Sequence, residues 1–364
     1  MRVTVIGHDA GDAALAKRIG QMRAEGHAVR ALTLRRGPDA ARDWDNTDLG
    51  QTRDGDFAQR LGAIARAVPK AARALGPADV LWARNLDAAL IARGALALAR
   101  SRVPLIYECL DVHDLASGEG AASGMVRALE RLVLDRAALT VVSSEAFVRE
   151  HFTPRYGEQP FAVIENRLAV DGLVPRPDGS RPDRPLTIGW FGILRCARSL
   201  DLLLGAAERA EGAVRLVMAG RPATDQLPGF EARIAACPFA EYLGPYAAPG
   251  DLAALHARVD LVWAGDWFQA GANSRWLLPN RLYEAGWFGV PALAPEGTET
   301  AAWALRHGTG LAVPDPSERA LPGLLAAMTS ERLAAMRDAV LAAPGALFAG
   351  GADEVTAALE RAAC

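Results

Sequence analysis

Apolar residues in this chain gather in short unbroken runs, and segments of helical spacing separate the runs. "RVTVIG" (2–7) is the first. "DAALAKRIGQMRAEG" follows, with Leu15, Ile19 and Met22 at helical intervals until Gly26. "HAVRALTL" (27–34), "DVLWA" (79–83), "VPLIYE" (103–108), "LTVVSS" (139–144) and "FAVIEN" (161–166) continue the series. A strand wetted on one face alternates apolar with polar residues, whereas one covered on both faces does not. Parallel strands need crossovers, and helical crossovers supply that double cover. The pattern therefore predicts a doubly wound parallel α/β domain over residues 1–170.

The rhythm then breaks. "VDGLVPRPDGSRPDRP" (170–185) is rich in Pro, Gly and charge and offers little to bury, which predicts a linker over 171–185. After it come "LTIGWFG" (186–192), "VRLVMAG" (214–220), "DLVWAG" (260–265), "VPALA" (290–294) and "GLAVP" (310–314). A second α/β domain is expected over 186–335. Helices are expected over 336–364, with a return to the first domain open to them. The fold class is α/β: two Rossmann-like doubly wound domains facing each other across a cleft at their strand C-termini, where such sheets bind ligands.

Composition narrows the function. A formal net charge of −3 over 364 residues argues against a general nucleic-acid binder, which needs a basic face. The four cysteines, Cys109, Cys196, Cys237 and Cys364, show neither C-x-x-C nor metal spacing, so reduced thiols and no metal site are expected. No signal peptide and no apolar run of the ~18–20 residues that span a bilayer are visible. The expected location is the cytoplasm. "GHDAGD" after the first strand is not a dinucleotide fingerprint, and neither a P-loop nor a G-x-S-x-G elbow occurs. "DWD" (43–45), an acidic pair of metal-binding type, lies in a polar loop and not at a convincing strand end.

Two stretches carry chemistry of their own. In "GWFGILRCARSLDLLLGAA" a strand ends at Gly192, a loop carries Arg195 and Arg198, and Ser199 can cap the next helix. Two cations beside a helix N-terminus suit a diphosphate; two solvated loop arginines satisfy the same stretch. In "PNRLYEAGWFGVPALAP" (279–295), Pro279 starts a helix bearing Asn280, Arg281 and Glu284. Glu284 on such a helix can accept two hydrogen bonds from a vicinal diol such as a ribose. A surface Arg–Glu pair worth a few tenths of a kcal/mol is the alternative.

In order and spacing these stretches resemble the second domain of GT-B glycosyltransferases, in particular the retaining family 4-like group. The family's G-x-L-x(3)-[KR]-x-x-D-x-L-L corresponds to "GILRCARSLDLLL", and P-x-K-x-x-E-x-x-x-x-G-x-P-V to "PNRLYEAGWFGVPAL". "MAGRP", "LGPYAAPGDLAALHARVDLVW", "RHGTGLAVPDP", "TVVSSEAF" and "FAVIENRLAVDG" extend the likeness over nearly the whole chain. The resemblance implies that Arg195, Arg198 and Arg281 bind donor phosphates, with Gly11 admitting the diphosphate close to backbone. It implies that Glu284 holds the donor ribose and that Asn280, Gly220 and Arg221 lie near the donor sugar or base. "YECLDVHDL" (107–115) resembles the segment that faces the sugar, which makes His113 and Asp111 the catalytic candidates. For Gly11 an ordinary helix-entry glycine, and for His113 a helix-capping loop residue, satisfy the sequence equally. His8 and Asp9 are further candidates in the Gly11 loop. Two positions depart from the family: Trp276 stands eight residues before Glu284, where a second Glu is common, and Ile193 replaces an Arg.

The implied activity is glycosyl transfer from a nucleoside-diphosphate sugar to a glycan or lipid-linked hydroxyl, retaining and metal-independent, in surface polysaccharide or glycoconjugate synthesis. No cofactor is implied, the nucleotide sugar being a substrate, and no nucleic-acid partner. A nucleotide-sugar epimerase of the same shape and a non-catalytic two-lobed binder are the alternative classes. "FAQRLGAIARAVPKAARAL" (57–75) sets Phe57, Leu61, Ile64 and Val68 on one helical face with Arg60, Arg66, Lys70 and Arg73 around it, and "GMVRALERLVLDRA" (124–137) is similar. Such segments suit either packing on the sheet or peripheral contact with the inner face of an anionic membrane.

Overall fold

A computed structural model describes residues 1–37, 43–52, 57–112, 116, 118, 120–178 and 184–364. The chain divides into two compact units, Met1–Glu165 with Gly351–Cys364, and Asn166–Gly350.

The first unit holds a sheet of β1 (Arg2–Gly7), β2 (Ala28–Arg35), β3 (Asn46–Gln51), β4 (Val80–Arg84), β5 (Leu105–Cys109), β6 (Ala137–Val142) and β7 (Phe161–Val163). Their order is β3-β2-β1-β4-β5-β6-β7, and every pairing is parallel. The chain winds outward from β1 to β3, then crosses back to β4 on the other side of β1. The core gathers Val3, Val5, Trp82, Ile106, Leu139 and Val141, and the helix Ala352–Ala363 adds Val355, Ala358 and Leu359.

The second unit repeats the plan with β8 (Leu186–Leu194), β9 (Val214–Pro222), β10 (Ala240–Tyr242), β11 (Leu261–Trp263), β12 (Ala292–Pro295) and β13 (Gly310–Val313), in the order β10-β9-β8-β11-β12-β13. All pairs are again parallel. Strand β8 shows why these runs do not alternate. Ile188, Trp190 and Leu194 pack under the helix Ala197–Arg209 through Leu200 and Leu203. Phe191 faces the opposite layer with Val217, Ala219, Val262, Ala285 and Val290. Both sheets are thus the doubly wound α/β type expected from the sequence.

Strands β3 and β10 escape the sequence reading. Each is a sheet edge; β3 buries only Leu49 and β10 buries no residue fully. An edge strand needs little apolar surface and leaves no unbroken run to find. Among the described residues, no helix is long and apolar enough to cross a membrane.

Candidate active site

In the second unit the strand order reverses between β8 and β11, and loops following such a pair splay apart to leave a crevice at their carboxyl ends. Arg195 directly follows β8, and Asp266 lies just beyond β11. The two loops are clipped together. The Trp267 amide donates to Cys196 Sγ at 3.2 Å, and Trp263 Nε1 donates to Ser199 Oγ at 3.1 Å. Cys196 also accepts from the Ser199 amide at 3.3 Å and so caps the helix Ala197–Arg209, the place expected of Ser199.

Asp266 is buried. Its Oδ1 accepts from the Phe268 amide at 3.1 Å and from the Ser274 hydroxyl, which folds the 266–274 loop on itself. Its Oδ2 faces two cations, Arg195 Nε at 4.0 Å and Arg281 Nη2 at 3.8 Å. These separations give charge attraction without a hydrogen bond. Neither guanidinium makes a hydrogen bond among the described residues, and Arg281 Nη1 is buried with no partner. The Arg281 side chain is only 10% exposed. Burial pulls its pKa down, the Asp266 charge pulls it up, and the nearby Arg195 pulls it down again. A buried cation with a donor left unpaired by protein is uncommon, and it marks a place where a polar or anionic group can be taken up. Arg195 completes the group, stacked 4.7 Å over the Phe268 ring.

Glu284 lies one turn beyond Arg281 on the helix Asn280–Trp287, whose N-terminus has no side-chain cap. It is buried, and the Tyr246 hydroxyl donates to its Oε2 at 3.4 Å. Burial and then the Glu284 charge push the Tyr246 pKa up, so the phenol keeps its proton. Gly220, at φ +127°, lies against Gly192 of β8: a Cβ there would sit 1.9 Å from the Gly192 carbonyl oxygen. Only a residue with no side chain permits this approach of β8 and β9.

Arg195, Arg281 and Glu284 thus come together. Arg198 does not share their acid: it donates to Glu318 Oε1 at 2.7 Å and to Asp315 Oδ1 at 3.2 Å, 4.1 Å over the Trp267 ring. The Glu318 hydrogen bond is the main reason its pKa is raised. Asn280 is exposed and accepts from Asn166 at 2.7 Å. Arg221 is exposed near the end of β9 and makes no hydrogen bond among the described residues.

In the first unit the reversal lies between β1 and β4. The Gly11 amide donates to Asp9 Oδ1 at 3.1 Å, as does the Arg36 amide at 3.2 Å. Burial lowers the His8 pKa, which keeps the imidazole neutral. His8 Nδ1 meets Asn85 Nδ2 at 3.5 Å, and Asn85 holds a left-handed φ of +66° just past β4. Beneath them, Glu108 accepts from Arg18 Nη2 at 2.7 Å and Trp82 Nε1 at 2.7 Å, with Arg84 Nη1 at 3.4 Å. Burial pushes the Glu108 carboxyl up, but Arg18 and Arg84 outweigh it and pull the pKa down to about 2. Asp111 is exposed, and its carbonyl accepts the Cys109 thiol at 3.5 Å. His113 and the Phe57 side chain lie outside the described residues.

Sequence reasoning passed over Asp266, Tyr246, Trp267, Phe268 and Ser274. The signal for Asp266 was an acid just past an apolar strand, beside two aromatics in a polar loop.

Residues 14–191 match the glycosyl transferase 4-like domain family. The chain is 39% identical over 342 residues to the succinoglycan biosynthesis protein ExoL of Rhizobium meliloti (strain 1021), covering 90% of this chain and 85% of that protein. It is also similar in fold to HepE from Anabaena, solved in complex with UDP and glucose: TM-score 0.68, 16% identity, 98% of this chain and 97% of that one. Sucrose-phosphate synthase from Thermosynechococcus elongatus is a further structural relative, with TM-score 0.73, 14% identity and 99% and 97% of the two chains covered.

Proposed function

We propose, from the premise that this chain belongs to the glycosyl transferase 4-like family and is a glycosyltransferase, that it moves a sugar from a nucleoside-diphosphate donor to a hydroxyl of a growing surface polysaccharide. The observation that carries the donor reading is the pair of guanidiniums, Arg195 and Arg281, brought to one carboxylate with no hydrogen bond from either among the described residues. A diphosphate is the ligand that matches two close, rigid, planar cations. The N-terminus of the helix Asn280–Trp287 adds a partial positive charge to theirs. Glu284, steadied by Tyr246, is positioned on the same helix to grip the ribose hydroxyls. Arg198 adds charge from the flank, its donors already engaged by Glu318 and Asp315. Gly220 lets β9 close on β8 beside the site, and Arg221 and Asn280 border the base and sugar.

The reaction breaks the bond between the anomeric carbon and the diphosphate oxygen, which keeps the electron pair. The acceptor oxygen forms the new bond on the same face, and its proton passes to the departing diphosphate. Charge grows on the diphosphate as the bond lengthens, and preorganised guanidiniums lower the barrier by stabilising it there. The pair supplies the positive charge that a metal supplies elsewhere. Asp111 and His113 are the residues proposed to meet the sugar or the acceptor hydroxyl.

The polysaccharide context follows from the likeness to a succinoglycan biosynthesis protein. A lipid-linked acceptor at the inner face of the membrane is consistent with the helix Ala121–Leu134, which exposes Met125 and Leu132 beside Arg131. Thermal unfolding with UDP, GDP and ADP, followed by donor hydrolysis with the corresponding nucleotide sugars, tests the donor reading. Stabilisation by one diphosphate and slow hydrolysis of its sugars are expected; a chain indifferent to every nucleotide refutes it. Flotation with anionic vesicles tests the membrane contact, and absence of binding removes it.

A further inference from the structure

We propose that Asp266 is an internal competitor for the diphosphate: its carboxylate contends with the product for Arg195 and Arg281 and thereby sets how readily the product leaves. This rests on the donor reading above. The two oxygens of Asp266 do different things. Oδ1 is pinned by the Phe268 amide and the Ser274 hydroxyl, which fix the carboxylate in place. Oδ2 accepts no hydrogen bond among the described residues and points its charge at both guanidiniums, 4.0 and 3.8 Å away. An acid built to hold the arginines would engage their N–H groups at about 2.7–2.9 Å, as charge-assisted pairs do. Glu318 does so with Arg198 at 2.7 Å. Asp266 supplies countercharge and leaves the donors idle.

The arrangement has an electrostatic consequence. Two guanidiniums this close repel each other, and one of them is nearly buried. Without the Asp266 carboxylate, Glu284 would be left as the acid acting on Arg281, and a polyanion would be held more tightly, because opposite charges in a poorly solvated site attract strongly. With the carboxylate present, the arginines are partly neutralised before the diphosphate arrives and after it departs. Asp266 also repels the diphosphate across the same short distance. Both effects weaken product binding and favour turnover over retention, which is what differential binding of transition state over product requires.

The sign of the effect separates this role from a scaffolding one. Asp266→Asn keeps an acceptor for the Phe268 amide and the Ser274 hydroxyl and removes the charge. UDP, the probe, is expected to bind the variant at least fivefold more tightly by titration calorimetry, and to dissociate more slowly in stopped-flow displacement. If Asp266 merely positions the arginines, the same variant binds UDP more weakly, and that result overturns the proposal. Asp266→Ser, which also removes the charge, carries the same expected sign. If both variants fail to fold the proposal falls as well, because the charge of Asp266 is then needed to hold the loop and the arginines and not to contend with the diphosphate. Wild-type protein that ignores UDP, GDP and ADP alike sinks the donor reading instead, and this inference with it.

Discussion

Replacing Arg281 by methionine separates the cost of a buried cation from its use. Methionine keeps an unbranched apolar stem and removes the guanidinium. In the free chain that group makes no hydrogen bond among the described residues and has one ion pair, at 3.8 Å, shared with Arg195. A pair at that distance attracts by about 4 kcal/mol at an effective dielectric of 20. Removing the guanidinium from water costs several kcal/mol in return. The two terms offset, so Arg281→Met is expected to change stability by less than about 1 kcal/mol, a shift of roughly 2–4 °C or less for a domain of this size. Nucleotide binding behaves differently. Hydrogen bonds to charged groups contribute about 1.5–3 kcal/mol each. Two donors lost to a diphosphate therefore cost at least about 3 kcal/mol, or roughly 100-fold in Kd. Calorimetric titration with UDP and thermal unfolding of the free protein read the two quantities. Arg198→Ala is the control: its guanidinium is already committed to Glu318 and Asp315, and a loss below about tenfold is expected. A variant at 281 that binds UDP normally, or one that unfolds while free, would refute the reasoning.

Three further outcomes follow from the geometry. Gly220→Ala places a methyl 1.9 Å from a backbone oxygen at φ +127°, and should destabilise the second unit by about 3 kcal/mol or more, seen as a lower urea midpoint. Glu108 is held at about 2, below its unfolded value near 4.5, so its contribution is full above pH 4.5 and is lost as pH falls toward 2. Glu108→Gln should flatten that acid limb and, by leaving Arg18 and Arg84 buried without their acid, destabilise by about 3–5 kcal/mol in urea melts at pH 7. Burial drops the buried His256 to about 4, against the Leu252 carbonyl that pulls it up, so the unfolded chain takes up more protons between pH 6.5 and 4. Stability should fall with pH across that window. His256→Phe, which keeps the stacking on Phe288 and the edge contact with Phe191, should remove the slope in melts at pH 7, 6 and 5.

How much was legible depended on whether the signal was local. The central strands were readable because both faces of each are buried, so every residue in the run must be apolar. Strands β3 and β10 were not, because an edge demands little of its side chains. Arg281 and Glu284 could be set on one helix from Pro279 and their spacing alone, since helix geometry fixes i,i+3 neighbours. That Arg195 stands in the loop after a strand was arguable from the apolar run before it. That it makes no hydrogen bond among the described residues while Arg198 is held by Glu318 and Asp315 was not arguable from sequence.

The sequence by itself determined periodicity, and periodicity determined two parallel α/β sheets. Tertiary structure alone decided which charges meet. Arg195 and Arg198 differ by one helical turn in sequence, yet one faces Asp266 from the loop after β11 and the other is held by Glu318, 120 residues away. Coulomb energy depends on distance and burial, and neither quantity is written in the order of residues. Both are set when the crossover from β10 returns the chain to β11 beside β8, laying its loop against the one that carries the arginines.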